Sequence, residues 1–391
     1  MNDDLLTLID QLEARLRDAF LAVVNELRGD IDVPALVAAL RAGDIDAAID
    51  ALNIDRGPFS RYALERQLAF SETGAVVAKV ITRDRVAFRK REDENPTLVA
   101  PDLAPTAPTL PPRQPPTLSA PGGGDIVFRF DMTNPRAESK IRTEAATRIT
   151  GYVDEQIETA RRIIGDGFQR GQSPQTIATD IAGRINPISG RREGGIVGLS
   201  SPQADYVENM RRRLRSGDSD EMLKVLGRFK DGKWVEGTGQ TLRDRRYDAQ
   251  IKRAIRDVAA GKPNPLAADK IDEMVARYSD RLLKRRAEDI ARTETAQGVE
   301  MARAEATKQA LVKVGLPDDA VVKTWVHQGG IRHARDGHLA LNGKQVQGVD
   351  AVFFLPDGSI MLYPHDPAGG VKNNANCRCR GDHAIDWAFG L

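Results

Sequence analysis

The sequence predicts a mainly α chain with a small α+β domain at its carboxy end, and three observations carry that prediction. Apolar residues recur at intervals of three and four through most of the chain, while aromatic residues make up only 5% of it. Nine of the 21 prolines fall between residues 95 and 124. Period-two alternation becomes frequent only after residue 320, and all five histidines and both cysteines lie there too. At 391 residues the chain is long enough for two or three cores.

Leu5, Leu8, Leu12, Leu16, Ala19, Val23 and Leu27 form one helical stripe that Gly29 can end. Pro34 suits the first turn of a short helix through Leu40, and Gly43-Asp44 restarts the chain into another through Leu52. A further helix over about 58–81 carries Phe59, Tyr62, Leu64 and Leu68. Residues 1–92 are therefore expected to form an N-terminal helical module. Residues 93–124, rich in proline and ending in three glycines, read as a linker with polyproline stiffness, because they offer too little apolar surface to offset their ordering entropy.

IVFRF at 126–130 alternates like a strand. Residues 125–315 then read as a helical stalk. Ile141, Ala145, Ile149, Val153, Ile157, Ala160 and Ile164 keep helical spacing up to Gly165. Ser173 with Pro174, and Ser200 or Ser201 with Pro202, are helix starts. The stretch 263–314 is the longest helical one, expected as two helices or one bent one. In 316–391, residues 321–326 alternate as a strand, residues 333–341 suit a short helix or turn, and Pro356-Asp357-Gly358-Ser359 joins two apolar strands. A last strand follows Cys377 and Cys379.

The formal charge of +1, from 57 basic and 56 acidic residues, excludes a surface that is basic throughout. Local runs remain at Arg211–Arg213 and Arg215, at Arg243, Arg245 and Arg246, and at Lys284–Arg286, each readable as a solvated face or a phosphate contact. The acidic start of the chain and the lack of a long apolar run predict a soluble protein without a membrane anchor, made inside the cell. A P-loop is absent from the sequence. Cys377 and Cys379 are too close in sequence for an unstrained disulfide. Together with His338 and one of His365, His383 or His333 they are candidate zinc ligands; packing as small apolar side chains is the alternative. His338 with His333 or His365 could also act as acid and base on a phosphodiester, with Arg335 and Arg378 stabilising charge.

Trp325 on a strand, Arg335-x-x-His338, Asn342-Gly343, Phe353-Phe354, Pro364 and the run Asn376-Cys377-Arg378-Cys379 form an ordered set. With Ala291–Thr295, which contains Arg292 and Glu294, and a Gly194-Gly195-x-x-Gly198-Leu199 turn before Gln203-x-x-Tyr206-Val207, the set resembles the phage head-morphogenesis, or minor head protein, family (phage Mu F-like). The resemblance spans about 126–391 and is strongest at 287–300 and 325–379. It departs at Gln328-Gly329, where the family carries an aspartate before the arginine.

The resemblance implies a virion protein at or near the portal vertex of the head, acting in head assembly and in DNA packaging or ejection. Its implied partners are the portal protein, the major capsid or scaffolding protein and packaged DNA. The competing expectation is a C-terminal nuclease or ADP-ribosyltransferase-like effector. Since Arg292 and Glu294 fall on different helix faces, Glu294 is expected to meet Arg335 or Arg378.

Overall fold

The computed structural model describes residues 3–94, 118–119, 125–126, 128–329 and 334–389. Most of the expected linker, together with His333, lies outside them. Helices dominate, and short strands gather toward the carboxy end, as expected from the sequence.

The chain opens with α1 (Asp3–Asp30), α2 (Val33–Ala42), α3 (Ile45–Asp50) and α4 (Ser60–Glu94). Short acidic caps set the starts: Asp32 accepts from Ala35 N at 3.0 Å and Asp44 from Ala47 N at 2.9 Å. Gly43 between the two helices sits at φ 72°, where a side chain would be strained. A small pair, β1 (Leu118–Ser119) and β2 (Asp125–Ile126), follows.

The strand expected over 126–130 stops at Ile126. Phe128 instead drops into a core with Val77, Ala78, Ile81, Ala306, Ala310 and Trp387. The ring of Phe130 lies so close to Gly74 of α4 that a Cβ there would fall 2.2 Å from it. Burying two aromatics outweighs the few ladder bonds a short strand would have made.

Helix α5 (Pro135–Gln169) runs past Gly165, the expected stop, since one glycine costs a helix only about 1 kcal/mol. The chain turns at Gly171, at φ 65°. Ser173 then caps α6 (Pro174–Ala182), accepting from Thr176 N at 3.2 Å. A two-residue pair, β3 (Arg184–Ile185) and β4 (Arg192–Glu193), leads to α7 (Ser201–Arg215), where Ser200 N donates to Gln203 Oε1 at 3.2 Å in a capping box. After α8 (Ser219–Leu226), the hairpin of β5 (Gly227–Lys230) and β6 (Lys233–Glu236) turns at Asp231 and Gly232, both at positive φ. Helix α9 (Asp248–Ala259) precedes α10 (Ala268–Val314), a single helix of 47 residues.

The chain forms two compact units, which do not follow the sequential segments expected from the sequence. One comprises Met1–Arg17, Ala63–Ala145 and Asp289–Leu391; the other comprises Asp18–Tyr62 and Ala146–Glu288. Residues 1–92 thus contribute to both. The reason is helix length. At about 1.5 Å per residue, α10 alone spans about 70 Å, more than one small core can cover. Within the first unit, its later residues pack with the carboxy-terminal strands.

Those strands are β7 (Val321–Val326), β8 (Gln345–Gln347), β9 (Phe353–Phe354), β10 (Ile360–Met361) and β11 (Arg380–Ile385). β7 is the centre of an antiparallel sheet ordered β11-β7-β8, with Trp325 opposite Gly381 and Lys323 opposite both His383 and Val346. Its alternation buries Val321, Lys323 and Trp325. β9 and β10 form the expected hairpin. The edge at β11 is closed by α10: Gly381 N donates to Glu300 Oε2 at 2.9 Å, while Arg303, paired with Glu300, donates to Gly381 O.

Candidate functional site

Two short helices build the site, α11 (Asp336–Ala340) and α12 (Gly370–Asn374), together with the segment that leads from α12 into β11. Arg335 precedes α11 and gives Nη2 to Ala375 O at 2.7 Å, tying the two segments together. Asn376 then turns the chain at φ 54°, a conformation asparagine tolerates better than most residues. The extended stretch after it alternates, so Cys377 and Cys379 point inward, 4% and 5% exposed, and Arg378 points out.

Both sulfurs meet one nitrogen. His338 Nδ1 lies 3.3 Å from Cys377 Sγ and 3.5 Å from Cys379 Sγ. The three ligand atoms fall within 4.8 Å of one another. On its other side, His338 Nε2 reaches Asn373 Oδ1 at 3.3 Å. Asn373 is oriented in turn, its Nδ2 donating to Asp357 Oδ2 at 3.2 Å and to Ser359 Oγ at 3.0 Å. With the amide so fixed, Nε2 carries the proton and Nδ1 presents a lone pair to the sulfurs. Trp325 closes the pocket edge-on to His338, 5.4 Å between ring centroids.

Further donors lie around the sulfurs. Cys379 N donates to Cys377 Sγ at 3.3 Å, and His327 Nδ1 stands 3.5 Å from Cys379 Sγ. Cys379 first, then His338 and His365, hold the Cys377 thiol well below its ordinary value, while the same pairing and burial push that of Cys379 up.

His365 commits Nε2 to Cys379 O at 3.2 Å. His383 lies elsewhere, facing α10 with Nδ1 3.0 Å from Thr307 Oγ1; burial, with the charges of Arg303 and Lys323, holds it well below its ordinary value, so it stays neutral. His333 falls outside the described residues. Among the histidines proposed as partners, the structure thus joins His338 to the cysteines and gives His383 another task. His327 and Asn373, which sequence spacing did not single out, complete the surroundings. An Asx residue one helical turn before the cysteine pair was the only hint of Asn373.

The remaining motif residues brace this cluster. Arg292 Nη1 donates to Asn376 Oδ1 at 3.0 Å, and Asn376 N donates to Thr293 Oγ1 at 3.3 Å. Glu294 was expected to meet Arg335 or Arg378; the structure pairs it instead with Arg66 at 3.3 Å, both side chains 3% exposed. The helix face was misassigned: Arg292, not Glu294, faces the carboxy-terminal segment. The charges of Arg292 and Arg378 act on Glu13, whose carboxyl burial pushes upward.

Chemically, the trio of Cys377, His338 and Asn373 has the order of a thiol nucleophile, its base and an orienting amide. Burial opposes that use, since Cys377 is 4% and His338 3% exposed and an acyl substrate could not reach the sulfur. Two thiols on a single imidazole nitrogen suit a soft metal ion better.

The basic runs are mostly spent internally. Arg211 pairs with Asp180, Arg215 with Asp272 at 2.8 Å, Arg243 with Asp248 at 2.8 Å, Arg246 with Asp244 at 2.6 Å and Arg286 with Glu155 at 2.6 Å. Among the described residues, no helix is long and apolar enough to cross a membrane. No family model, curated protein or solved structure matches the chain.

Proposed function

We propose that the protein is a minor head component of a tailed phage or phage-like particle, acting at or near the portal in head assembly and in DNA packaging or ejection. One observation carries this reading: Arg292, Trp325, Arg335, His338, Asn376, Cys377 and Cys379 of the ordered set converge on one mutually braced cluster around the buried His338, Cys377 and Cys379. Motif residues used to hold a shape suit an assembly part better than an enzyme. A nuclease or ADP-ribosyltransferase would need its histidines and arginines around an open cleft, whereas His338 and His365 are 3% and 1% exposed. The internal pairing of the arginine runs likewise favours protein partners over broad contact with DNA phosphates.

The test is composition and loss. Purified heads should contain the chain at a fixed ratio to the portal protein, and deleting its coding sequence should leave heads that form abnormally or fail to deliver DNA. Heads that lack the chain and still assemble and infect normally would refute the assignment. So would cleavage of nucleic acid or NAD by the pure protein that disappears in His338→Ala.

A further inference from the structure

We propose that Cys377, Cys379 and His338 bind one zinc ion through Sγ, Sγ and Nδ1, with His327 Nδ1 as the fourth ligand, and that this ion staples α11, the end of β7 and the segment after α12 together. The proposal does not depend on the head-protein reading.

Geometry is the first support. With zinc–sulfur and zinc–nitrogen bonds of about 2.3 and 2.0–2.1 Å, a tetrahedral site sets neighbouring sulfur and nitrogen ligands about 3.5 Å apart. The separations here are 3.3 Å for His338 to Cys377 and 3.5 Å for His338 to Cys379, and the three ligand atoms lie within 4.8 Å of one another. A set of ordinary hydrogen bonds accounts for less. The single Nδ1 lone pair of His338 can accept from only one of the two sulfurs that approach it, whereas a cation takes both sulfurs and the nitrogen at once.

The outer shell is the second support. A ligating histidine needs its remaining N–H held, and Asn373 holds it, fixed in turn by Asp357 and Ser359. The backbone N–H of Cys379 is directed at Cys377 Sγ, where it would offset thiolate charge. Trp325 Nε1 is a buried donor with no hydrogen-bond acceptor among the described residues. His327 stands half-buried at the rim with Nδ1 3.5 Å from Cys379 Sγ but outside the 4.8 Å trio, so as fourth ligand it must turn toward Cys377 and His338. His365 is the poorer fourth ligand because its Nε2 is committed to Cys379 O.

The competing uses fail on the same geometry. A disulfide between cysteines two apart would be strained, and the buried thiol cannot serve as a nucleophile for an outside substrate. A metal also answers a structural need: the module consists of strands of two to six residues and helices of five, too short to hold one another by backbone pairing alone.

The full chain, purified without chelator and loaded with zinc, should hold one zinc ion per chain by elemental analysis. Cobalt(II) in its place should show thiolate-to-cobalt charge-transfer absorption and the strong visible bands of a four-coordinate tetrahedral site. Chelation should lower the midpoint of thermal unfolding, and added zinc should restore it. Cys379→Ser should abolish stoichiometric binding; because that variant could also misfold, His327→Ala provides the second reading. It should keep the charge-transfer band, weaken zinc binding at least tenfold and change the visible spectrum as water replaces the imidazole. A folded wild-type chain that takes up no zinc, or binds cobalt without charge-transfer absorption, would overturn the site. An unchanged spectrum in His327→Ala with a changed one in His365→Ala would overturn the fourth ligand.

Discussion

The unit formed by Asp18–Tyr62 and Ala146–Glu288 and the carboxy-terminal module 316–391 reach stability by different routes. In the first, helices present apolar stripes to one another, with Phe20, Phe59, Tyr62 and Tyr152 in mutual ring contact, and charged residues pair around them. In the second, polar side chains do much of the holding. Lys323, 1% exposed, gives its Nζ to Val349 O, Ala351 O and Leu362 O at 2.9, 2.5 and 2.7 Å. Asn373 holds His338, Asn374 donates to Asp366 O at 2.6 Å, and Asn376 receives Arg292. Long helices satisfy their own backbone, so their side chains are free to be apolar. Two-residue strands leave carbonyls that side chains must reach.

The largest effect that would test this difference is Lys323→Met. The replacement fits the volume but strands three buried carbonyls, so it should cost about 3–5 kcal/mol in denaturant unfolding. A loss below about 1 kcal/mol would mean that the module is held by apolar packing after all. In the helical unit the corresponding test is apolar. Ile177 is fully buried on α6 and packs onto the backbone of α5 at Gly167, where a Cβ would come within 2.7 Å of it. Ile177→Ala should cost about 2–4 kcal/mol through lost burial and the cavity left behind.

The same difference governs what could be read beforehand. Periodicity and caps located the helices, including the starts at Ser173 and Ser200 and the breaks around Gly43. It could not show that α1, α4, α5 and α10 each contribute residues to both compact units, because a stripe says that a face is buried and not against what. It also ended α5 too soon, since Gly165 looks like a stop only when the next turn's packing is unknown. In the module, the alternation of β7 and the Pro-Asp-Gly-Ser turn were plain. The cluster of His338, Cys377 and Cys379 was legible as residue types, but Asn373 and His327 were not, because their roles depend on a ring's tautomer and on a chain reversal 50 residues away. Glu294 went to Arg66 for the same reason, as its partner lies on a helix more than 200 residues earlier.

Titration should sharpen the comparison with a smaller effect. Burial pushes the Lys323 amine from its ordinary 10.5 down to about 8. Between those values the unfolded chain binds more protons than the folded one, so stability must rise with pH over that window. Unfolding free energy measured from pH 8 to 10.5 should therefore increase in the wild type by less than the Lys323→Met loss. The increase should vanish in Lys323→Met. A wild-type curve that is flat or falling there would show that the three carbonyls hold the ammonium charged throughout, which would strengthen the polar account of the module while removing its pH signature.

The smallest effect belongs to the helical unit and tests the claim that its polar groups are peripheral. Ser173 Oγ bonds only to Thr176, to its N at 3.2 Å and its Oγ1 at 2.9 Å, at the exposed start of α6, while Pro174 already sets the backbone for the first turn. Ser173→Ala leaves that N–H to water rather than burying it unpaired, so the loss should be only about 1 kcal/mol. Asn373→Ala at the module's buried cluster should cost more, because it frees His338 Nε2 where water cannot easily replace the amide. Measured side by side, equal losses would mean that burial does not separate the two regions, and the contrast between self-satisfied helices and side-chain-satisfied strands would have to be given up.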